Sequence, residues 1–176
     1  MLLISNNLQK YMKLPKKSVI RINMAWVKNI EELEKIIIFN KNKEIFLDYP
    51  QGRSKPPKPT LSIENAFTVL KKYKNIKYFA VSNIEKVKDV KDVMNNVPKN
   101  VEFIPKIETL HGVKNLKTII NECKIKILQL DAEDLYTDVR KDNIMFFECI
   151  EAVRSICKSL KVTLLELEGV VFSEKK

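Results

Sequence analysis

In this chain of 176 residues, charged and polar side chains recur at one place in the pattern, the carboxyl ends of successive apolar runs. Arg21 and Asn23 lie near the end of SVIRINMA (18–25), Asp48 near the end of EIFLDY (44–49), and Ser82 ends KYFAVS (77–82). Lys106 and Glu108 stand at the end of VEFIPKI (101–107), Asp131 ends IKILQLD (125–131) with Glu133 and Asp134 just beyond, and Glu166 and Glu168 fall in VTLLELEGVVF (162–172). Carboxylates suit hard cations and guanidinium or ammonium groups suit anionic oxygens, so these ends either hold a metal and a substrate or face water. Single positions have plainer explanations. Glu108 and Asp134 can sit at the N-termini of the helices that follow them, and Asp48 can open a turn before Pro50. That accounts for one acid at a time, not for a charge at nearly every strand end. Arg21, inside the apolar VIRIN, costs several kcal/mol unless it is paired or lies at a rim.

The runs alternate with segments of helical period. Strands are expected at the six runs above and, weakly, in MLLIS; helices are expected over 29–40, 62–73, 84–96, 112–123 and 143–160. Ser62, with Asn65 three residues later, and Asn83 are the candidate caps. Continuous apolar runs separated by helices imply a parallel sheet buried on both faces. Only three glycines are present and no GxG, which removes a dinucleotide-binding doubly wound sheet. A closed barrel needs eight strands and about 250 residues. The expected fold is therefore an α/β, parallel (β/α) TIM-barrel-like domain spanning 1–176, truncated to six or seven strands, with the tail after Gly169 ending the last strand. Chemistry in such folds sits at the carboxyl ends of the strands, so the charged ends converge on one mouth. Two unclosed edges invite pairing, and a homo-oligomer is expected.

The formal charge is +10, but the lysines are dispersed, and no aromatic residues interleave with them as a base-stacking strip requires. A small anionic substrate, not nucleic acid, is the expected partner. Cys123, Cys149 and Cys157 form no CxxC pair and read as buried thiols of a reducing cytosol. The N-terminal apolar run is too short for a signal peptide or a membrane span, so a soluble cytoplasmic protein is expected. The lone histidine, His111, is a weak candidate for a catalytic base or a helix cap.

PKIETLHGVKNLKTII followed by LQLDAEDLYTD resembles the phosphoenolpyruvate/pyruvate barrel superfamily, which includes the HpcH/HpaI aldolases, the citrate lyase beta-subunit family and pyruvate kinase. AEDLYTD is similar to the GAEDL-x-x-D of the citrate lyase branch. VIRINMAW, FLDYPQGRSKP, YFAVSNIEKVKDV and the K-I-E of Lys106 resemble pyruvate kinase elements in the same order. The resemblance implies a divalent metal, Mg2+ or Mn2+, held by Glu108 and Asp134. It implies a pyruvate- or oxaloacetate-like oxo acid bound through Arg21, Asn23, Asp48, Ser82 and Lys106, with Arg21 and Lys106 in catalytic roles. The chemistry implied is a carbon–carbon lyase or aldolase reaction through a metal-stabilised enolate.

Departures from the family pattern keep two alternatives open. Ala25 and Trp26 replace a serine and a histidine, LLELEG replaces a threonine motif, and Asp131 stands where a glycine would precede AED. Only QGRSKPPKPT stands where pyruvate kinase inserts its nucleotide-covering domain. A catalytically degenerate barrel serving as a binding or assembly module is one alternative. A pyruvate-kinase-like phosphoryl or enolpyruvate enzyme, suggested by Lys106, is the other.

Overall fold

The computed structural model describes every residue except 11–13, 16, 54 and 167–176. Seven strands are present among the described residues: β1 (Leu2–Ser5), β2 (Ser18–Asn23), β3 (Ile45–Tyr49), β4 (Ile76–Val81), β5 (Glu102–Ile107), β6 (Ile127–Leu130) and β7 (Thr163–Leu165). They form one sheet in sequence order, every neighbouring pair parallel. The helices are α1 (Ile30–Phe39), α2 (Ile63–Lys72), α3 (Val87–Met94), α4 (Leu110–Cys123), α5 (Ala132–Asp138) and α6 (Asn143–Leu160). The result is a curled, unclosed barrel, short of the full eight strands. Among these elements β1 pairs only with β2 and β7 only with β6, so both edges are open. No described helix is long and apolar enough to cross a membrane.

The apolar runs become strands because both of their faces are covered. One face, through Ile20, Ile22, Leu47, Phe79, Val81, Ile107 and Leu128, packs on helix residues such as Leu33, Ile37, Val69, Val90, Leu116 and Val153. On the opposite face Val19, Phe46, Ala80 and Ile104 form a second, smaller core with Leu3, Tyr78, Ile127 and Leu165. Side chains alternate along a strand, so the residues two and four beyond this small core share its face. They are Arg21 and Asn23, Asp48, Ser82, Lys106 and Glu108, and Gln129 and Asp131. The inner face is therefore an apolar floor with a polar rim at the carboxyl ends.

Local chemistry sets the helix starts. The Glu32 N–H donates to Asn29 Oδ1 (2.9 Å), Ser62 and Asn65 form a reciprocal capping box, and the Gly112 N–H donates to Thr109 Oγ1 (3.1 Å). Three expectations change. Asn83 does not open α3; it takes a left-handed φ of 56° and gives its N–H to Glu108, while the helix begins after Lys86. α4 begins two residues earlier than expected because Thr109 caps it. Helix α5 was not expected at all: Leu135 is its one buried residue, so no apolar period marks it, and it is started by the Asp131 cap. Residues 167–172 of the expected last strand, and the tail after Gly169, lie outside the described residues.

Gly112 sets how closely α4 approaches the mouth. A Cβ there would stand 2.8 Å from the Ile84 carbonyl oxygen and 3.3 Å from Ile107 Cγ2. Alanine normally favours a helix over glycine by about 1 kcal/mol. Here the clash with backbone dominates, and Gly112→Ala is expected to lower stability by about 1–3 kcal/mol in urea denaturation; a stabilised variant would show that α4 can move away.

Candidate functional site

Lys106, near the end of β5, is the centre of the rim. Its side chain is 6% exposed, and its Nζ lies 2.8 Å from Glu108 Oε1, 3.5 Å from Asp131 Oδ2 and 3.7 Å from Asp48 Oδ1. It also donates a hydrogen bond to Ser82 Oγ at 3.1 Å. Asp48 is completely buried, a position an isolated carboxylate could not hold in ionised form. Arg21 resolves this from the other side, donating through Nε (2.9 Å) and Nη2 to Asp48 Oδ2. The sheet register explains the meeting, since Asn23 lies beside Asp48, Asp48 beside Ala80, and Lys106 beside Gln129. Charges from strands β2, β3 and β5, with Asp131 after β6, thus form one continuous network.

Burial alone would pull the Lys106 ammonium below its usual value, but Asp48, Glu108 and Asp131 together outweigh it and hold it above. The group stays protonated through the neutral range and serves as a fixed cation, not as a base. Glu108 is pushed above the ordinary carboxylate range, chiefly by burial and further by Asp131; Lys106 and the Asn83 N–H, which donates to Oε2 at 3.0 Å, pull the other way.

Beside this pair, Glu108, Asp131 and Asp134 each bring a carboxylate oxygen within 4.8 Å of the other two. Oxygens around an octahedral ion with bonds of about 2.1 Å are about 3–4 Å apart, so a small contraction would close the triangle on Mg2+ or Mn2+. The donor set is all oxygen, as a hard cation requires. Glu108 Oε1 and Asp48 Oδ1 are moreover buried and face the Lys106 ammonium, at 2.8 and 3.7 Å, with no further hydrogen bond among the described residues, which leaves acceptor capacity inside the network. These residues fit a divalent ion.

Arg21, Asp48, Ser82, Lys106 and Glu108 are joined directly, and Asp134 enters through the acidic triangle. Asn23 stands next to Asp48 in the sheet, but its side chain accepts the Ala25 N–H (3.0 Å) and caps the short turn at Met24–Trp26. His111 is exposed in the first turn of α4, and Thr109, not His111, is the cap. Three contributors lie outside the ligand and substrate set that the resemblance implies. Asp131 is among the charged strand ends expected to converge on the mouth, but the family pattern has a glycine there and so assigns it no ligand role; its place two residues after Gln129 puts it on the same inward face. Asn83 and Lys55, which pairs with Asp134, carry no signal in the local pattern.

Lys106→Met would leave three carboxylates facing one another and is expected to cost about 3–5 kcal/mol at pH 7 in urea denaturation. The ammonium's contribution is complete below the ordinary lysine value of about 10.4 and is lost as pH climbs through the raised folded value. The variant should accordingly lack that component of alkaline destabilisation. A loss below about 1 kcal/mol, the size of an exposed pair, would mean that Lys106 is not the counterion of the network.

No protein-family model and no curated protein matches the sequence. Solved structures do match in fold. RipC from Yersinia pestis superposes with a TM-score of 0.63 at 13% identity, covering 94% of this chain and 73% of that one. Citrate synthase SbnG gives 0.65 at 12% identity, covering 85% and 67%. An HpcH/HpaI aldolase/citrate lyase family protein from Burkholderia cenocepacia J2315 gives 0.58 at 12% identity, covering 84% and 70%. The sheet order and these superpositions agree: the chain shares the parallel (β/α)-barrel fold of these structures, in shortened form.

Proposed function

We propose that the chain is a divalent-metal-dependent carbon–carbon lyase or aldolase acting on a pyruvate- or oxaloacetate-like oxo acid or its thioester. The observation that carries this reading is the meeting of Glu108, Asp131 and Asp134 beside the buried Lys106 at the mouth of a barrel whose fold is shared with aldolase and citrate lyase-like structures. Glu108 and Asp134, joined by Asp131, would hold the ion, whose bound form supplies Lewis acidity toward substrate oxygens. Asp48 occupies Nε and Nη2 of Arg21, which leaves Nη1 for a substrate carboxylate; the Arg21 side chain is 30% exposed. Lys106 places positive charge where negative charge would develop on oxygen, and because it stays protonated it can donate a proton but not abstract one. Ser82 fixes the ammonium's position.

One observation favours the degenerate module instead. Lys106 already stands 2.8 Å from Glu108, so an internal cation neutralises part of the acidic cluster. Thermal denaturation with Mn2+ or Mg2+ plus oxalate, a planar mimic of a pyruvate enolate, separates the readings. At a hundredfold excess over Kd, binding adds about 2.7 kcal/mol, which for a chain of this length raises Tm by about 5–10 °C. Glu108→Gln and Asp134→Asn are expected to abolish the shift while the proteins remain folded. No shift in the unsubstituted protein would leave the degenerate module standing, and a clear shift with ADP would point to the kinase-like alternative.

A further inference from the structure

Between β3 and α2, the described residues 50–53 and 55–61 cross the mouth and are tied down at both ends. Near its start, Asn83 Nδ2 donates to the Gln51 carbonyl at 2.6 Å. The turn that follows uses Gly52 at φ +68°, where a Cβ would stand 3.1 Å from Asn83 Nδ2. Near its end, Thr60 Oγ1 donates to the carbonyls of Val27 (3.0 Å) and Lys28 (2.8 Å). Between these anchors the Arg53 guanidinium donates to Pro56 O and Pro57 O, both at 3.0 Å, and stiffens the loop on itself. The tip reaches across the mouth, where the Lys55 ammonium pairs with Asp134 Oδ1.

Two features make this contact more than a surface ion pair. Its acceptor is one of the three acids of the candidate metal position, and Asp131 and Glu133 also act on the Lys55 charge. The loop is wired to the same position by a second route, since Asn83, which holds Gln51, gives its backbone N–H to Glu108 Oε2. Both partners of the ion pair are partly exposed, 45% for Lys55 and 32% for Asp134, so the contact can open readily. A dication among Glu108, Asp131 and Asp134 would repel an ammonium resting on one of its own ligands.

We propose that Lys55 is a tethered competitor for the metal position: its ammonium straps the loop of residues 50–61 over the mouth through Asp134, and entry of a divalent ion displaces it and frees the strap. This rests on the metal-binding reading of the site. Metal affinity is then set in part by a residue outside the ligand set, and the mouth opens when the ion arrives.

The test compares Mn2+ titration calorimetry and amide hydrogen exchange of residues 51–60 in the full chain, in Lys55→Met and in the charge-retaining Lys55→Arg. Lys55→Met is expected to bind Mn2+ about two- to fivefold more tightly, the fold-change matching an exposed ion pair, and Lys55→Arg to stay near the unsubstituted protein. Without metal the loop should exchange faster in Lys55→Met, and Mn2+ should accelerate exchange in the unsubstituted protein but not in that variant. Equal or weaker Mn2+ binding by Lys55→Met, or slower loop exchange on adding Mn2+, overturns the strap while leaving the metal site intact. Failure of the unsubstituted protein to bind Mn2+ overturns the metal reading and the strap together.

Discussion

The rim of this barrel depends on one buried cation. Lys106 lies within 4 Å of the carboxylates of Glu108, Asp131 and Asp48, and nothing else described on its side of the network carries positive charge at comparable burial. Without it, the burial that raises Glu108 would favour the protonated acid, and Asp48 would keep Arg21 as its one cationic partner. With it, four carboxylates coexist at the ends of three strands and the start of α5. The cost of burying charge is offset only because every member has a partner, which is why the network has few interchangeable parts.

The same constraint links fold to site. Each strand contributes its inward residues with a period of two, and below the rim those positions are Val19, Phe46, Ala80 and Ile104, which pack into a dry floor. That floor keeps water from the underside of the charges and strengthens their interactions. Above it, the loops do the fine positioning. Asn83, held in a left-handed conformation, serves Glu108 through its backbone and Gln51 through its side chain. A strand end and a surface loop are in this way set by one residue.

Most of the architecture was readable from the sequence because long apolar runs alternating with helical segments admit few arrangements. The truncated parallel barrel follows from the strand count and the chain length, and the Ser62–Asn65 capping box follows from residue type. What escaped was short or non-local. Helix α5 buries only Leu135 and depends on the Asp131 cap, and the role of Asn83 depends on a glutamate 25 positions away. The charged strand ends were readable as a group, but the pairing among them was not. Asp48 reads equally well as a turn residue, and only its inward place in the sheet, beside Asn23 and within reach of the Arg21 and Lys106 side chains, turns it into the shared partner of two cations. Asp131 is legible as a charged strand end on the inward face, but its part in the acidic triangle is not, because its residue type departs from the family pattern.

The proposed divalent-ion position is formed by Glu108, Asp131 and Asp134 together. Equilibrium Mn2+ binding followed by electron paramagnetic resonance, on the unsubstituted chain and on Asp131→Asn, tests it most directly, because Asp131 is the member that the family pattern does not supply. A single saturable ion per chain, held measurably less tightly by Asp131→Asn while its circular dichroism and urea midpoint stay native-like, is the predicted result. No saturable Mn2+ binding by the unsubstituted chain, or binding that Asp131→Asn leaves unchanged, would contradict the account.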